Sequence, residues 1–178
     1  MKEPAGSSIW KEFMEYLKMI IFVVIVVLIV NNFLLINAKI PSESMEQTIM
    51  TGDRVFGNRL AYLFDKPERF DIVIFKYPDH EKELFIKRII GMPGETVEIR
   101  DGKVYIDGAK EPLDDSFTPE EPLGDYGPYV VPEDSYFMLG DNRNYSKDSR
   151  FWNNPYVAED KILGKAVLRY FPGIKLLK

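Results

Sequence analysis

Residues 19–36 read MIIFVVIVVLIVNNFLLI, eighteen residues without a single charged side chain. At 1.5 Å per residue a helix of that length spans roughly 27 Å, close to the ~30 Å hydrocarbon layer of a bilayer. The apolar run is unbroken from Met19 to Val30, and Asn31 and Asn32 interrupt it only near one end. A helix apolar on every face has no side to show water, so in a chain of 178 residues it reads as a membrane span and not as a core helix. A cleaved export signal is the other reading. The run is long for one, and Asn37-Ala38 and the residues after it offer no small-x-small cleavage site. An uncleaved anchor is therefore expected. Lys2, Lys11 and Lys18 precede it and Lys39 comes after it, which favours a cytoplasmic N-terminus, with Trp10 and Tyr16 suited to the inner interface. The expected organisation is a short cytoplasmic segment over 1–18, a single-pass cell-membrane anchor over 19–36 and an extracytoplasmic domain over 37–178.

Composition narrows the chemistry. The chain has no cysteine, which excludes disulfides, thiolate catalysis and cysteine-based metal sites. Its one histidine, His80, excludes a His-rich zinc site, and a Ser–His–Asp triad would have to use that residue. The formal net charge is -5. Lys2, Lys11 and Lys18 cancel Glu3, Glu12 and Glu15 within residues 1–38, so the excess lies on the domain. A mildly acidic domain is not built to wrap nucleic acid, and no nucleic-acid partner is expected.

The domain begins without a linker, so Lys39-Ile40-Pro41-Ser42-Glu43-Ser44-Met45 is held near the membrane surface. Short apolar stretches then alternate with turn formers. Strands are expected at 54–56, 70–75, 84–90, 136–139 and 161–170. Residues 96–106 pattern as a hairpin around Asp101-Gly102, with Val97 and Ile99 returning as Val104 and Ile106. Residues 109–135, rich in Pro, Gly and acids, read as an irregular surface loop. The resulting fold class is mostly β: an antiparallel sandwich or partly closed barrel behind one N-terminal helix.

Three clusters carry possible chemistry. In Pro41-Ser42-Glu43-Ser44-Met45 the two hydroxyls share a side if the chain is extended, so one can attack while the other holds a developing oxyanion. Serine pairs beside proline are also ordinary turn residues. In Phe85-Ile86-Lys87-Arg88-Ile89-Ile90, strand alternation puts Lys87 on an apolar face with Phe85 and Ile89. Burial there disfavours the ammonium and frees an amine to act as a base, while a lysine reaching out from a strand edge is the alternative. Lys76, Lys82 and Lys103 have more polar surroundings, and Arg88 does not deprotonate. The third cluster, Gly140 to Arg150, is a polar loop between Phe137-Met138-Leu139 and Phe151-Trp152. Asp141 and Asp148 are placed to pair with Arg143 or Arg150 and to pin that loop to the core.

The order of anchor, PSESM, KRIIGMPGE and GDNRNYSKDSR, with LGKAVLRYFP near the end, closely resembles the small single-span type I signal peptidases of bacteria, a family of Ser–Lys peptidases. The resemblance covers nearly the whole chain. It implies Ser44 as nucleophile and Lys87 as general base. The oxyanion hole falls to the Ser42 hydroxyl with the Ser44 N–H, and Ser146 orients the base. Asp141, Asp148, Arg150 and Arg88 match residues that buttress the site. Met45 packs beside the nucleophile, and Gly140 is a glycine of close approach. No metal or cofactor is implied. The implied substrates are exported precursors bearing signal peptides, cut after small-x-small motifs, with the lipid bilayer and the secretion translocon as further partners. Glu43 stands where the family more often has glycine, and alternation places it outward. The large second lobe of some relatives is reduced here to 95–135. For the substrate pockets, Ile40, Ile86 and Ile89 are candidates, with walls expected after Ser44 and before Lys87. Two other functions compete: a Ser–Lys peptidase dedicated to one substrate, and a membrane-tethered binding or assembly protein with a decayed site.

Overall fold

The computed structural model describes the backbone of residues 5–177 and the side chains from Ile9 onward. It divides into two units, residues 1–35 and 36–178. The first is helix α1, Ala5–Ile29, continued by a wider π turn over Val30–Leu34. Nearly every described side chain on it is exposed, and Ile9–Leu34 is long and apolar enough to cross a membrane. Its β-branched residues are mediocre helix formers in water. In hydrocarbon the helix is favoured because it satisfies every backbone polar group internally. Asn32 obeys the same rule, its side-chain amide donating to the Leu28 carbonyl at 2.9 Å. The helical stretch ends two residues before the expected 19–36 boundary. Leu35 is already extended, and Ile36 is buried in the core of the second unit.

That unit is built on one large sheet. Its strands are β1 (Leu35–Lys39), β2 (Arg54–Asn58), β3 (Ile72–Lys76), β4 (Leu84–Gly91), β8 (Ser135–Leu139), β9 (Tyr156–Ala158), β10 (Ile162–Phe171) and β11 (Lys175–Leu176). They are ordered β1-β2-β10-β3-β4-β8-β9, with β11 paired to β10. The intervening strands β5 (Thr96–Arg100), β6 (Lys103–Ile106) and β7 (Tyr126–Val130) form a separate three-stranded sheet, β6-β5-β7. Its pairings and the five in the main sheet from β2 to β9 are antiparallel. Of the two expected architectures, sandwich or partly closed barrel, the second unit is the partly closed antiparallel barrel, and one apolar helix precedes it in the chain.

The β5–β6 hairpin has the expected register, Val97 facing Ile106 and Ile99 facing Val104. Asp101 and Gly102 both have positive φ, as a two-residue turn with the sheet's own twist requires. Four strands escaped the sequence reading: β1, where the end of the anchor and the start of the domain were expected, the two-residue β11, and β7 and β9. β7 lies inside the segment read as irregular, where Gly127 and Pro128 mask it; proline is tolerated because β7 is an edge strand. β9 is three residues long, too short to show a period.

Strand β4 carries the central register. Its partners place Val73 opposite Lys87 and Leu139 opposite Arg88. Both of its faces are covered. Phe85 and Ile89 pack with Val73, Phe75, Tyr136 and Met138, whereas Ile86 packs with the cluster containing Ile40, Met45 and Ile49. The sheet tolerates no extra bulk at Gly164, where an added Cβ would stand 2.4 Å from the Asn58 carbonyl oxygen. Backbone cannot swing aside as a side chain can. Gly164→Ala should cost about 1–3 kcal/mol, read as a lowered Tm, whereas Gly173→Ala, where the new methyl meets nothing within 4 Å, should leave Tm unchanged.

Candidate active site

Three pieces of chain converge. The first is the turn after β1. Ile40 is tied to Asp53 by backbone hydrogen bonding, and Pro41 keeps the chain from extending the ladder. The chain then folds into a tight turn in which Ile49 N–H donates to the Met45 carbonyl at 2.8 Å. Met45 and Ile49 drop into the core and leave Ser44 at the rim, 5% exposed. The Ser42 and Ser44 hydroxyl oxygens lie 3.4 Å apart, as expected, but a turn brings them together and not an extended strand. Glu43 is exposed, as alternation predicted.

The second piece is β4. Lys87 is 4% exposed, with its Nζ donating to Ser44 Oγ at 2.6 Å and to the Ile86 carbonyl at 3.1 Å. The Phe85 ring centroid is 5.4 Å from the same nitrogen. Burial pushes the Lys87 amine down from 10.5 to about 8, opposed by the charges of Asp148 and Asp141. The Ile86 carbonyl as an anchor for the amine was not foreseen; a backbone group one residue away leaves no mark in the side-chain pattern.

The third piece is the loop from Gly140 to Arg150. Asp141 takes a bidentate pair from Arg88, at 2.8 and 2.7 Å, and the Thr48 hydroxyl at 2.5 Å. Arg88 also donates to the Phe70 carbonyl and lies over the Phe117 ring. Asp148 pairs with Arg150 at 2.8 and 2.9 Å and accepts from the Gly140 N–H. Of the pairings open at the sequence level, Asp148 with Arg150 is present. Asp141 chooses Arg88 from the neighbouring strand, and Arg143 turns to Asp115. Gly140 is a close-approach position: a Cβ there would lie 2.4 Å from the Ser44 carbonyl and 2.2 Å from Ser146 Oγ. The Asn142 N–H donates to that same Ser44 carbonyl at 3.1 Å.

Ser146 departs from expectation. It is packed against Gly140 beside the site, yet its buried hydroxyl has no hydrogen-bond partner among the described residues, and Lys87 is held by Ser44 and Ile86 instead. The lysine is thus already engaged on both sides, and the Ser146 hydroxyl is left over.

A groove of about 550 Å³ opens onto Ser44 and Lys87. Pro41, Ser42, Glu43 and Thr51 border it with Leu84, Phe85, Ile86, Tyr145 and Lys147. The wall before Lys87 is where it was expected. The other wall is formed mostly by residues 41–43, before Ser44, with only Thr51 from after it, because the chain dives into the core at Met45. Of the candidate pocket residues only Ile86 lines the groove; Ile40 and Ile89 are core residues. No cluster of metal-ligating side chains is present among the described residues.

The arrangement is a hydroxyl, a desolvated amine and a second hydroxyl at the mouth of a groove, which suits acyl transfer. Comparison with known proteins places it. The model of the signal peptidase family, peptidase S26, matches residues 13–171. A signal peptidase I of Leptolyngbya laminosa is 41% identical over 166 residues, covering 89% of this chain and 80% of its own. A probable signal peptidase I of Synechocystis is 38% identical, covering 96% and 78%, and signal peptidase I T of Bacillus subtilis is 37% identical, covering 90% and 86%. The geometry and the extent of these matches lead to one conclusion: this chain belongs to the signal peptidase family, peptidase S26.

Proposed function

We propose that the protein removes signal peptides from exported precursors as a single-span membrane peptidase, with Ser44 as nucleophile and Lys87 as its only base. The observation that carries this reading is the 2.6 Å contact between Ser44 Oγ and a Lys87 amine that is 4% exposed. The lysine asymmetry around the anchor supports a cytoplasmic N-terminus and an extracytoplasmic site, where a precursor emerging from the translocon would be met.

The chemistry needs one amine in several roles. Neutral Lys87 accepts the Ser44 hydroxyl proton as Oγ bonds to the scissile carbonyl carbon. Its own N–H groups remain available to the Ile86 carbonyl, which holds the lone pair toward Ser44. The carbonyl oxygen becomes an oxyanion, met by the Ser42 hydroxyl and the Ser44 N–H. That N–H supports the role because it has no protein acceptor among the described residues. When the C–N bond breaks, the Lys87 ammonium gives its proton to the leaving amine. Water then attacks the acyl ester, Lys87 takes a proton from it, and Ser44 leaves with that proton restored. Ser146, unpaired beside Gly140, would meet Lys87 when the amine swings away from Ser44 during the cycle.

The substrate would lie extended in the groove, pairing with backbone while alternate side chains enter shallow pockets. Phe85 and Ile86 line the wall beside Lys87, and the preference proposed there is for alanine-like residues at the first and third positions before the cut.

Three outcomes test this. With a precursor and the full-length protein in detergent and lipid, Ser44→Ala and Lys87→Ala should both fall to background while product mass places the wild-type cut after a small-x-small motif. Retention of rate by Lys87→Ala would assign the base elsewhere. Ser42→Ala should lower kcat by about 10²-fold with little change in KM, as loss of one oxyanion donor does. The pH profile of kcat/KM should rise tenfold per unit and level off near the Lys87 value of about 8. At pH 7 roughly one enzyme in ten then carries the neutral amine. A profile still climbing at pH 10 would mean that the base is an ordinary exposed lysine.

A further inference from the structure

The segment between β6 and β7, read from sequence as a surface loop, reaches the back of the catalytic loop. Asp115 accepts from Arg143 Nη1 at 2.6 Å, and Arg143 is 1% exposed. Asp115 is the only carboxylate that pairs with this guanidinium among the described residues, and Arg143 Nε has no partner at all. Arg150 lies close enough to repel it, while donating to its backbone carbonyl, and Asp141, itself gripped by Arg88, attracts it less than Asp115 does. The next residue, Asn144, is also held by the inserted segment. Its amide donates to Glu120 Oε2 at 3.0 Å and to the Glu121 carbonyl at 3.1 Å, and its oxygen accepts the Leu123 N–H at 2.9 Å. On the other side, Asn142 grips the nucleophile turn. Its N–H donates to the Ser44 carbonyl and its Nδ2 to the Glu43 carbonyl, each at 3.1 Å. Residues 142–144 therefore form a short strap between the inserted segment and the turn that carries Ser44.

We infer that Asp115 is a positioning residue for the peptidase reaction: by neutralising buried Arg143 it fixes residues 142–144, and through Asn142 it sets the Ser44 hydroxyl against Lys87. Asp115 touches neither the groove nor the reacting atoms. This rests on the Ser44–Lys87 reading and gives the inserted segment a part in it. The physical basis is the asymmetry of buried pairs. Removing one partner strands a charge, whereas removing both is tolerated. A stranded Arg143 guanidinium must find water or another carboxylate, and either course drags residues 142–144 from their hydrogen bonds to Glu43 and Ser44.

The test uses the full-length protein in detergent and lipid with a peptide spanning a small-x-small cut, Ser44→Ala and Lys87→Ala serving as controls for the underlying reading. Asp115→Asn should lower kcat at least tenfold with KM within twofold and the fold retained, as judged by Tm. Adding Arg143→Met to that variant should restore most of the lost kcat, and Asp115→Glu, which keeps the charge, should lose far less than Asp115→Asn. A kcat for Asp115→Asn within twofold of wild type overturns the inference while leaving the catalytic pair standing. An Asp115→Asn defect that neither Arg143→Met nor Asp115→Glu relieves also overturns it. Should Asp115→Asn fail to fold, the comparison of Asp115→Glu and the double variant with wild type decides: both near wild type supports the inference, and both tenfold slower overturns it. Active Ser44→Ala or Lys87→Ala controls would instead overturn the catalytic pair on which the inference rests.

Discussion

One buried amine organises the catalytic domain. Water holds an ammonium far better than a protein interior does, so a lysine with 4% exposure is destabilising unless it is paired or neutral. Among the described residues Lys87 has no carboxylate in contact; its partners are a hydroxyl and a backbone carbonyl. Its proton affinity drops, to a value of about 8 from 10.5. Between those two pH values the unfolded chain binds more protons than the folded one, so this group makes stability rise with pH across that window. Below pH 8 the full cost remains, about 3 kcal/mol, and near neutrality a fraction of the molecules holds the amine unprotonated.

Two carboxylates nearby work against that depression, and the protein limits the damage by pairing each with arginine. Asp141 is gripped by Arg88 and Asp148 by Arg150, both through two nearly parallel hydrogen bonds. Neither pair is a strong source of stability, because desolvation offsets attraction in such burial. Their value is geometric. Arg88 comes directly after Lys87, so alternation along β4 sends the amine to the groove and the guanidinium to the opposite face, where it holds Asp141 in the loop from Gly140 to Arg150. One strand thus sets the buried amine and the guanidinium beside it with a single register, and a slip of one residue would exchange them.

The legibility of the molecule tracks the range of its interactions. The apolar span, the alternation around Lys87 and the Asp101-Gly102 hairpin are local patterns, and all were readable. So were the serine pair and the outward Glu43, although the turn that joins the serines was not. What escaped depends on contacts distant in sequence. β7 becomes a strand only because β5 offers it an edge. Ile40 and Ile89 look like pocket residues until the fold turns them inward, since an apolar side chain reads alike in a core and in a groove wall. The Arg88–Asp141 pair joins positions 53 residues apart, and the sequence offered Arg143 and Arg150 as equally charged alternatives nearer by. Roles for Ser44, Lys87, Ser42 and Ser146 came from motif resemblance, since spacing alone could not separate a nucleophile from a turn serine.

Glu43 shows what the turn asks of the residue between its two hydroxyls. Glycine at this position would matter if the backbone needed positive φ or if a side chain met an obstacle. Neither holds: residue 43 is absent from the positive-φ residues of the chain, and its side chain is exposed. Its carboxylate stands in water, where screening leaves little of its field for Lys87. The part of Glu43 that the architecture uses is its carbonyl, which accepts from Asn142 and is common to all residues. The turn therefore constrains backbone at position 43 and leaves the side chain free, on the rim of the groove that opens onto Ser44 and Lys87. A charge there faces solvent and leaves the contact between Ser44 and Lys87 undisturbed.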